Sequence, residues 1–285
     1  MKRLIDLVPT RPEKLADNVN IWLEAAELTA GQVNALSTAQ FIKLETADIA
    51  ALSNGVVSGL GTRAISAITD AQVTALNSSQ VAALTTSQLN SLTNFSKIDP
   101  TDVAAISATS LNKLSSSQLA NLSTAQANAL TAGQVKALST TQISQLEAAD
   151  VGSLNTSVIA SLATNQLVAL TTEQARSMTS AQTVALSAAQ LGSMEVADLA
   201  ALTTSSQQAL SQSQLSKLSA AQLNAMTGLS SAQAAGGIYS IMSSADIRAM
   251  STSNFASLTS TQIAGFLPTQ TGFITTAQIR AISTA

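Results

Sequence analysis

A large apolar residue recurs at every eighth position along almost the whole chain. From Leu28 the series runs Leu36, Leu44, Leu52, Leu60, Ile68, Leu76, Leu84 and Leu92. Six residues, Thr93 to Ile98, shift the frame, and the series resumes at Ile106, Leu114 and Leu122 and continues to Phe266, Ile274 and Ile282. Thirty-one octads result, and only Ala234 departs from a large apolar residue at the eighth position. A strict short period of this kind is the mark of a solenoid, in which each unit buries its apolar face only against its neighbours.

The octad reads [Ser/Thr]-x-[small]-Gln-[Val/Ile/Leu]-x-[Ala/Ser]-Leu, with Thr131-Ala132-Gly133-Gln134-Val135-Lys136-Ala137-Leu138 as a clean copy. A hydroxyl residue followed three positions later by Gln is a capping box. The hydroxyl accepts from the backbone N–H of position 4, and the Gln side chain reaches back to the N–H of position 1. The preceding Leu and position 5 form the matching hydrophobic staple. Every octad therefore carries a helix-start signal, and Asp99-Pro100-Thr101-Asp102 adds proline at the first helical position. One continuous helix is the obvious rival, but eight residues advance an apolar stripe by about 80° beyond two turns, so the stripe would wind around the rod, and a chain of short helices is the better reading. A β-helix would call for alternating apolar positions and β-branched residues, whereas the large residues here lie three apart. The fold expected is all-α: a solenoid of very short helices, one per octad, each held by its neighbours because isolated helices so short are unstable.

On a helical wheel positions 5 and 8 share the apolar face. Positions 3 and 7, mostly small, fall opposite and would permit close backbone approach, while positions 2 and 6, including Lys136, Arg176, Arg248 and Arg280, should face water. Gln at position 4 lies away from the solvent side. Either these glutamines only cap their own helix, or they are partly buried and also bond to neighbouring repeats. Gln134 is the reference case for that choice.

A longer period overlies the octad. Eighteen octads have Gln at position 4, and five have Asp instead: Asp48, Asp102, Asp150, Asp198 and Asp246. The last four are spaced 48 residues apart, which is six octads, and the first gap is six residues longer. Each following octad lacks the Gln, with Val56, Ser110, Val158, Ser206 or Asn254 in its place. Duplication of a 48-residue block explains this, with Asp as a substitute cap. Alternatively, six octads complete a whole number of superhelical turns and the acidic octads line up on one edge. One Asp and one Glu per block are too few oxygens for a calcium site, so no metal is expected.

Residues 1–28 differ, holding Trp22, Pro9, Pro12 and a cluster of charges, and read as an N-terminal cap on the octad solenoid at 29–285, which is irregular at 93–98 and 227–242. The start of the chain lacks the apolar core of a signal peptide and the repeat stops at Ser283-Thr284-Ala285. Export without a cleaved leader, or origin in a longer chain, is the expectation. Only 10% of residues are charged and the net charge is −3, with no basic stripe for nucleic acid. There is no run long enough for a membrane span. Cysteine and histidine are absent, which removes disulfides, thiol chemistry and any Ser/His/Asp or Cys/His catalytic set. Neither catalysis nor a cofactor is expected. Leu267-Pro268-Thr269-Gln270-Thr271-Gly272 superficially suggests a sortase signal, but Thr does not directly precede Gly at the fifth position and the segment fits the octad frame.

Leu130-Thr131-Ala132-Gly133-Gln134-Val135 resembles the opening helix of transcription-activator-like effector repeats, without their base-reading loop or basic second helix, so DNA binding does not carry over. Over its whole repeat region the chain resembles the Ser/Thr-Ala-Gln-rich octapeptide arrays of very large bacterial surface and adhesin-type proteins. That resemblance implies an extracellular or cell-surface stalk or self-associating filament subunit, with a surface or matrix polymer as a further partner. The competing expectation is a cytoplasmic scaffold that binds a peptide or polysaccharide along one face.

Overall fold

A computed structural model describes residues 25–230, 232–233, 242–256, 258 and 260–282. Among them every regular element is a short helix, usually of four to six residues, and no strand occurs. The chain divides into two compact units, residues 1–138 and 139–285. Both are solenoids of short helices.

The octad sequence explains each helix locally. In Thr131–Leu138, Thr131 is extended and its hydroxyl accepts from the Gln134 N–H; the helix Ala132–Ala137 follows, and Leu138 is extended again. The Val135 N–H donates to Thr131 O and the Leu138 N–H donates to Val135 O, both at 3.1 Å. The return to extended backbone at position 8 sets up the next position 1, so the chain turns a corner at each leucine. Val135 and Leu138 are buried, as positions 5 and 8 are in every octad up to residue 226, while positions 1, 3 and 6 of this octad are exposed.

Helices three octads apart pack side by side. In the first unit Ala30–Asn34 lies on Asn54–Ser58, which lies on Ser78–Ala83. In the second, Ala148–Ser153, Thr172–Ser177, Val196–Ala201 and Ala220–Ala225 form one stack. One coil is therefore three octads, or 24 residues, and each unit has three helical edges. The 48-residue period spans two coils. At one close approach of neighbouring coils a side chain does not fit: a Cβ on Gly152 would sit 2.7 Å from the backbone O of Ser177, 25 residues later.

Two wheel assignments are corrected. Position 3 is solvent-exposed rather than a close-approach position; nothing lies within 4 Å of a Cβ added to Gly133. Position 2 is half-buried in octads such as that of Thr172, because it borders the adjacent coil. Position 6 faces water as expected for Lys136, Arg176, Arg248 and Arg280.

The six residues Thr93–Ile98 form a shortened octad. Phe95 and Ile98 are buried in the places of positions 5 and 8, and the 3-10 turn Phe95–Lys97 packs on Asp70–Thr74. At the other irregularity, Leu229 is buried and Ser230 with Gln233 makes a capping box three residues out of the octad frame. The octad frame therefore breaks there. Of the cap, Ala25–Glu27 is a 3-10 turn packed on Thr46–Ala51, with Ala25 and Leu28 buried as positions 5 and 8 are elsewhere. Trp22, Pro9, Pro12 and the Gly236-Gly237 pair fall outside the described residues.

Candidate functional site

A helix of six residues cannot satisfy its last carbonyls internally, and those at a buried corner have no water to turn to. The position-4 glutamines meet this need. Gln134 Oε1 accepts from the Thr131 N–H at 2.8 Å and the Thr131 hydroxyl at 3.0 Å. Its Nε2 donates to Val103 O at 2.8 Å and Ile106 O at 2.7 Å. These are positions 5 and 8 of the octad four earlier, so one amide starts its own helix and closes the end of another. Gln134 is 2% exposed. Of the two roles weighed for these glutamines, both are present.

The pattern repeats in both units. Gln80 donates to Ile49 O and Leu52 O, both at 2.8 Å, and Gln88 to Val57 O and Leu60 O, also at 2.8 Å. In the second unit Gln174 reaches Ile143 O and Leu146 O at 2.8 and 2.7 Å, and Gln182 reaches Val151 O and Leu154 O at 2.9 and 2.7 Å. Gln126 bonds Phe95 O and Ile98 O at 3.0 and 2.8 Å, so the shortened octad counts as a full third of a coil. Gln270, within the sortase-like hexapeptide, donates to Met242 O at 2.7 Å and belongs to the same ladder.

Some octads without Gln find other donors. In 61–68 the Arg63 guanidinium bonds Leu36 O at 3.0 Å and Asn34 O at 3.4 Å. The Ser206 hydroxyl donates to Met178 O at 3.2 Å, again position 8 of the octad four earlier.

Sequence reasoning missed a second set of ties. Asn34 Nδ2 donates to Gly59 O at 2.8 Å and its Oδ1 accepts from the Gly61 N–H at 2.7 Å. Asn90 repeats this with Lys113 O at 3.0 Å and the Ser115 N–H at 2.8 Å. Thr74 donates to Lys97 O at 3.1 Å. These residues occupy position 6 and reach the position-7 carbonyl three octads ahead. Asn at a nominally solvent-facing position was the available signal.

The aspartates behave differently. Asp102 accepts from the Ser78 hydroxyl, and Asp198 Oδ1 accepts from the Thr172 hydroxyl at 3.1 Å. In each case the donor is position 2 of the octad three earlier. The carboxylate is one methylene shorter than Gln and has no N–H, so it cannot donate to the carbonyls that Gln reaches. Asp198 Oδ2 is buried with no hydrogen-bond partner. Burial, with the charge of Glu195 adding to it and the Thr172 hydroxyl opposing it, raises the Asp198 pKa above the ordinary carboxylate value. Asp48 Oδ2 accepts from the Glu45 N–H at 3.1 Å, and Asp246 Oδ2 accepts from the Ser243 hydroxyl and N–H at 2.6 and 2.9 Å. Those bonds lower the Asp246 pKa. Asp150 is buried.

Asp150 and Asp198 lie two coils apart in one stack. Asp48 does not share an edge with Asp102: its helix Thr46–Ala51 stacks with Asp70–Thr74 and Phe95–Lys97, whereas Pro100–Val103 stacks with Ser78–Ala83. The shortened octad shifts the edge by one. Residues 231 and 234–241, between Asp198 and Asp246, lie outside the described residues. Among the described residues no three acidic side chains converge as a metal site, and no helix is long and apolar enough to cross a membrane.

Three stretches, residues 41–78, 95–132 and 143–179, match the family model described as the ALTTAQ repeat. Those six letters read as positions 7, 8, 1, 2, 3 and 4 of the octad, and Ala169-Leu170-Thr171-Thr172-Glu173-Gln174 comes close to them. The chain is thus similar to a repeat array of that kind. No curated protein matches the chain.

Proposed function

We propose that the protein is a structural or adhesive element of the cell surface or extracellular matrix, acting as a rigid stalk or self-associating filament subunit. The observation that supports this reading is the glutamine ladder. The side chains spent on it, Gln134 and its counterparts, are buried and bonded to backbone. They hold successive coils in one spacing instead of shaping a cleft. The outward positions 1, 3 and 6 then repeat a nearly uncharged, hydroxyl-rich surface at each coil. Such a surface suits many identical weak contacts, and the likeness to an octapeptide repeat array accords with it. Export to the cell surface belongs to the same proposal.

Small-angle scattering and electron microscopy of the full chain test it. The expected result is an elongated particle of constant cross-section, forming ordered fibres as concentration rises. Strictly monomeric rods restrict the role to a stalk. A particle as wide as it is long contradicts both forms.

A further inference from the structure

Among the described residues up to 230 the few charges are sorted by edge. In the first unit the helices Thr38–Phe41, Thr62–Ala67 and Thr86–Ser91 form one stack, and Ala108–Leu111 with Ala132–Ala137 continue it through the Asn90 bonds to Lys113 and Ser115. The octads of this stack carry Lys43, Arg63, Lys113 and Lys136, all exposed, and no acid. The other two edges, among the described residues, hold the acids of the unit and a single cation, Lys97, which pairs with Asp70 at 3.7 Å. In the second unit the sorting is reversed. Between residues 139 and 230 every carboxylate belongs to the stack of Ala148–Ser153, Thr172–Ser177, Val196–Ala201 and Ala220–Ala225. Glu147, Glu173 and Glu195 are exposed there, one per coil, and the Glu173–Arg176 pair at 3.0 Å includes the one cation of that edge. The remaining two edges carry only Lys217.

We infer that the basic edge of residues 37–138 docks on the acidic edge of residues 147–226 of a second copy of this chain. The inference rests on the self-association half of the reading above and names the surfaces that carry it. Both edges are built of the same coils held by the same glutamine bonds, so they share one coil spacing. The basic edge carries Lys43 and Arg63 on consecutive coils, no charge in residues 85–92, and Lys113 and Lys136 on the next two. Against one exposed glutamate on each of three consecutive acidic coils, two pairs can form in a given register. Single exposed ion pairs contribute little. Two together, on edges with scarcely another charge, select one edge out of three and set the alignment. The contact joins different surfaces of the two copies and so leaves one of each kind open, which is the geometry that propagates into a chain.

Sedimentation velocity on the full chain tests this in 20 and 500 mM NaCl. Association should weaken at least about tenfold at the higher salt, where the Debye length shrinks to a few ångströms. A variant with Lys43→Glu, Lys113→Glu and Lys136→Glu should remain monomeric at low salt, as should one with Glu147→Lys, Glu173→Lys and Glu195→Lys. An equimolar mixture of the two should associate again. Arg63 is left intact because it also bonds the backbone, and thermal melts confirm that both variants fold. Wild-type association that ignores salt and both reversals overturns the edge pairing while leaving self-association standing. A wild-type chain that is monomeric in both salts overturns the pairing and self-association together, and leaves the stalk.

Discussion

The octads of Gln134 and Asp198 have the same length, the same helix and the same buried leucine, yet they are tied to their neighbours in different ways. Gln134 satisfies two donors at its own helix start and two acceptors at the end of another helix. Asp198 accepts one hydroxyl bond, keeps a buried oxygen without a partner and donates nothing to the backbone. The coil geometry is therefore enforced mainly by side-chain-to-backbone bonds, and the acidic octads are places where this enforcement relaxes.

The contrast is broken most severely by Gln134→Leu. The replacement strands the Thr131 N–H and the buried Ile106 carbonyl and takes one of two donors from the Val103 carbonyl. At roughly 1–3 kcal/mol for a stranded group, urea unfolding should show a loss of about 2–4 kcal/mol or a split transition. Asp198→Leu, which removes an ill-satisfied carboxylate, should cost less than about 1 kcal/mol in the same assay. Next in size is Gly152→Val. With the Ser177 carbonyl so near the added Cβ, overpacking should destabilise by about 1–3 kcal/mol. Gly133→Ala, into open space, should instead stabilise by about 0.5–1 kcal/mol through helix propensity. Asp198→Gln should convert the weak octad into a strong one. Its amide would reach Leu167 O and Leu170 O, the positions equivalent to those Gln134 reaches, and raise stability by about 1 kcal/mol.

The smallest effect is the response to acid. Because the Asp198 pKa is raised in the folded chain, its proton is held more tightly there than when unfolded. Its contribution is complete below the ordinary carboxylate pKa and is lost as pH rises through the folded value. Asp246 is lowered, so its contribution is present above the ordinary value and lost as pH falls through the folded one. Native-state hydrogen exchange across pH 3–6, the range flanking the ordinary carboxylate values of about 4, should show protection growing around Asp198 and shrinking around Asp246 as the pH falls. Asp198→Asn should abolish the first trend.

Much of this architecture is legible in the sequence. Thr131 with Gln134 marks the helix start, and Val135 with Leu138 marks the inward face, because capping and periodicity are local signals. The coil size is not legible in the same way, since it depends on the angle at each leucine corner and on bonds between residues 28 and 31 apart, such as Gln134 to Ile106 and Val103. The 48-residue spacing of Asp150 and Asp198 carries a trace of it, being two coils long. Thr93–Ile98 hides its role because two residues are missing, although Phe95 and Ile98 keep the spacing of positions 5 and 8. Ser230 and Gln233 hide theirs when a fixed frame is carried across Leu229. A helical wheel places Asn34 and Asn90 toward water because it takes no account of the next coil.

Side chains such as Gln134 join their own helix start to the helix end four octads earlier and so set the coil spacing. Solution NMR on the full chain, with the Gln134 side-chain amide labelled, measures this directly. The expected result is an amide that exchanges slowly, shows nuclear Overhauser contacts to residues 103 and 106, and couples across its hydrogen bonds to the carbonyl carbons of Val103 and Ile106. An amide that exchanges at the free rate and contacts only residues 131–138 contradicts it.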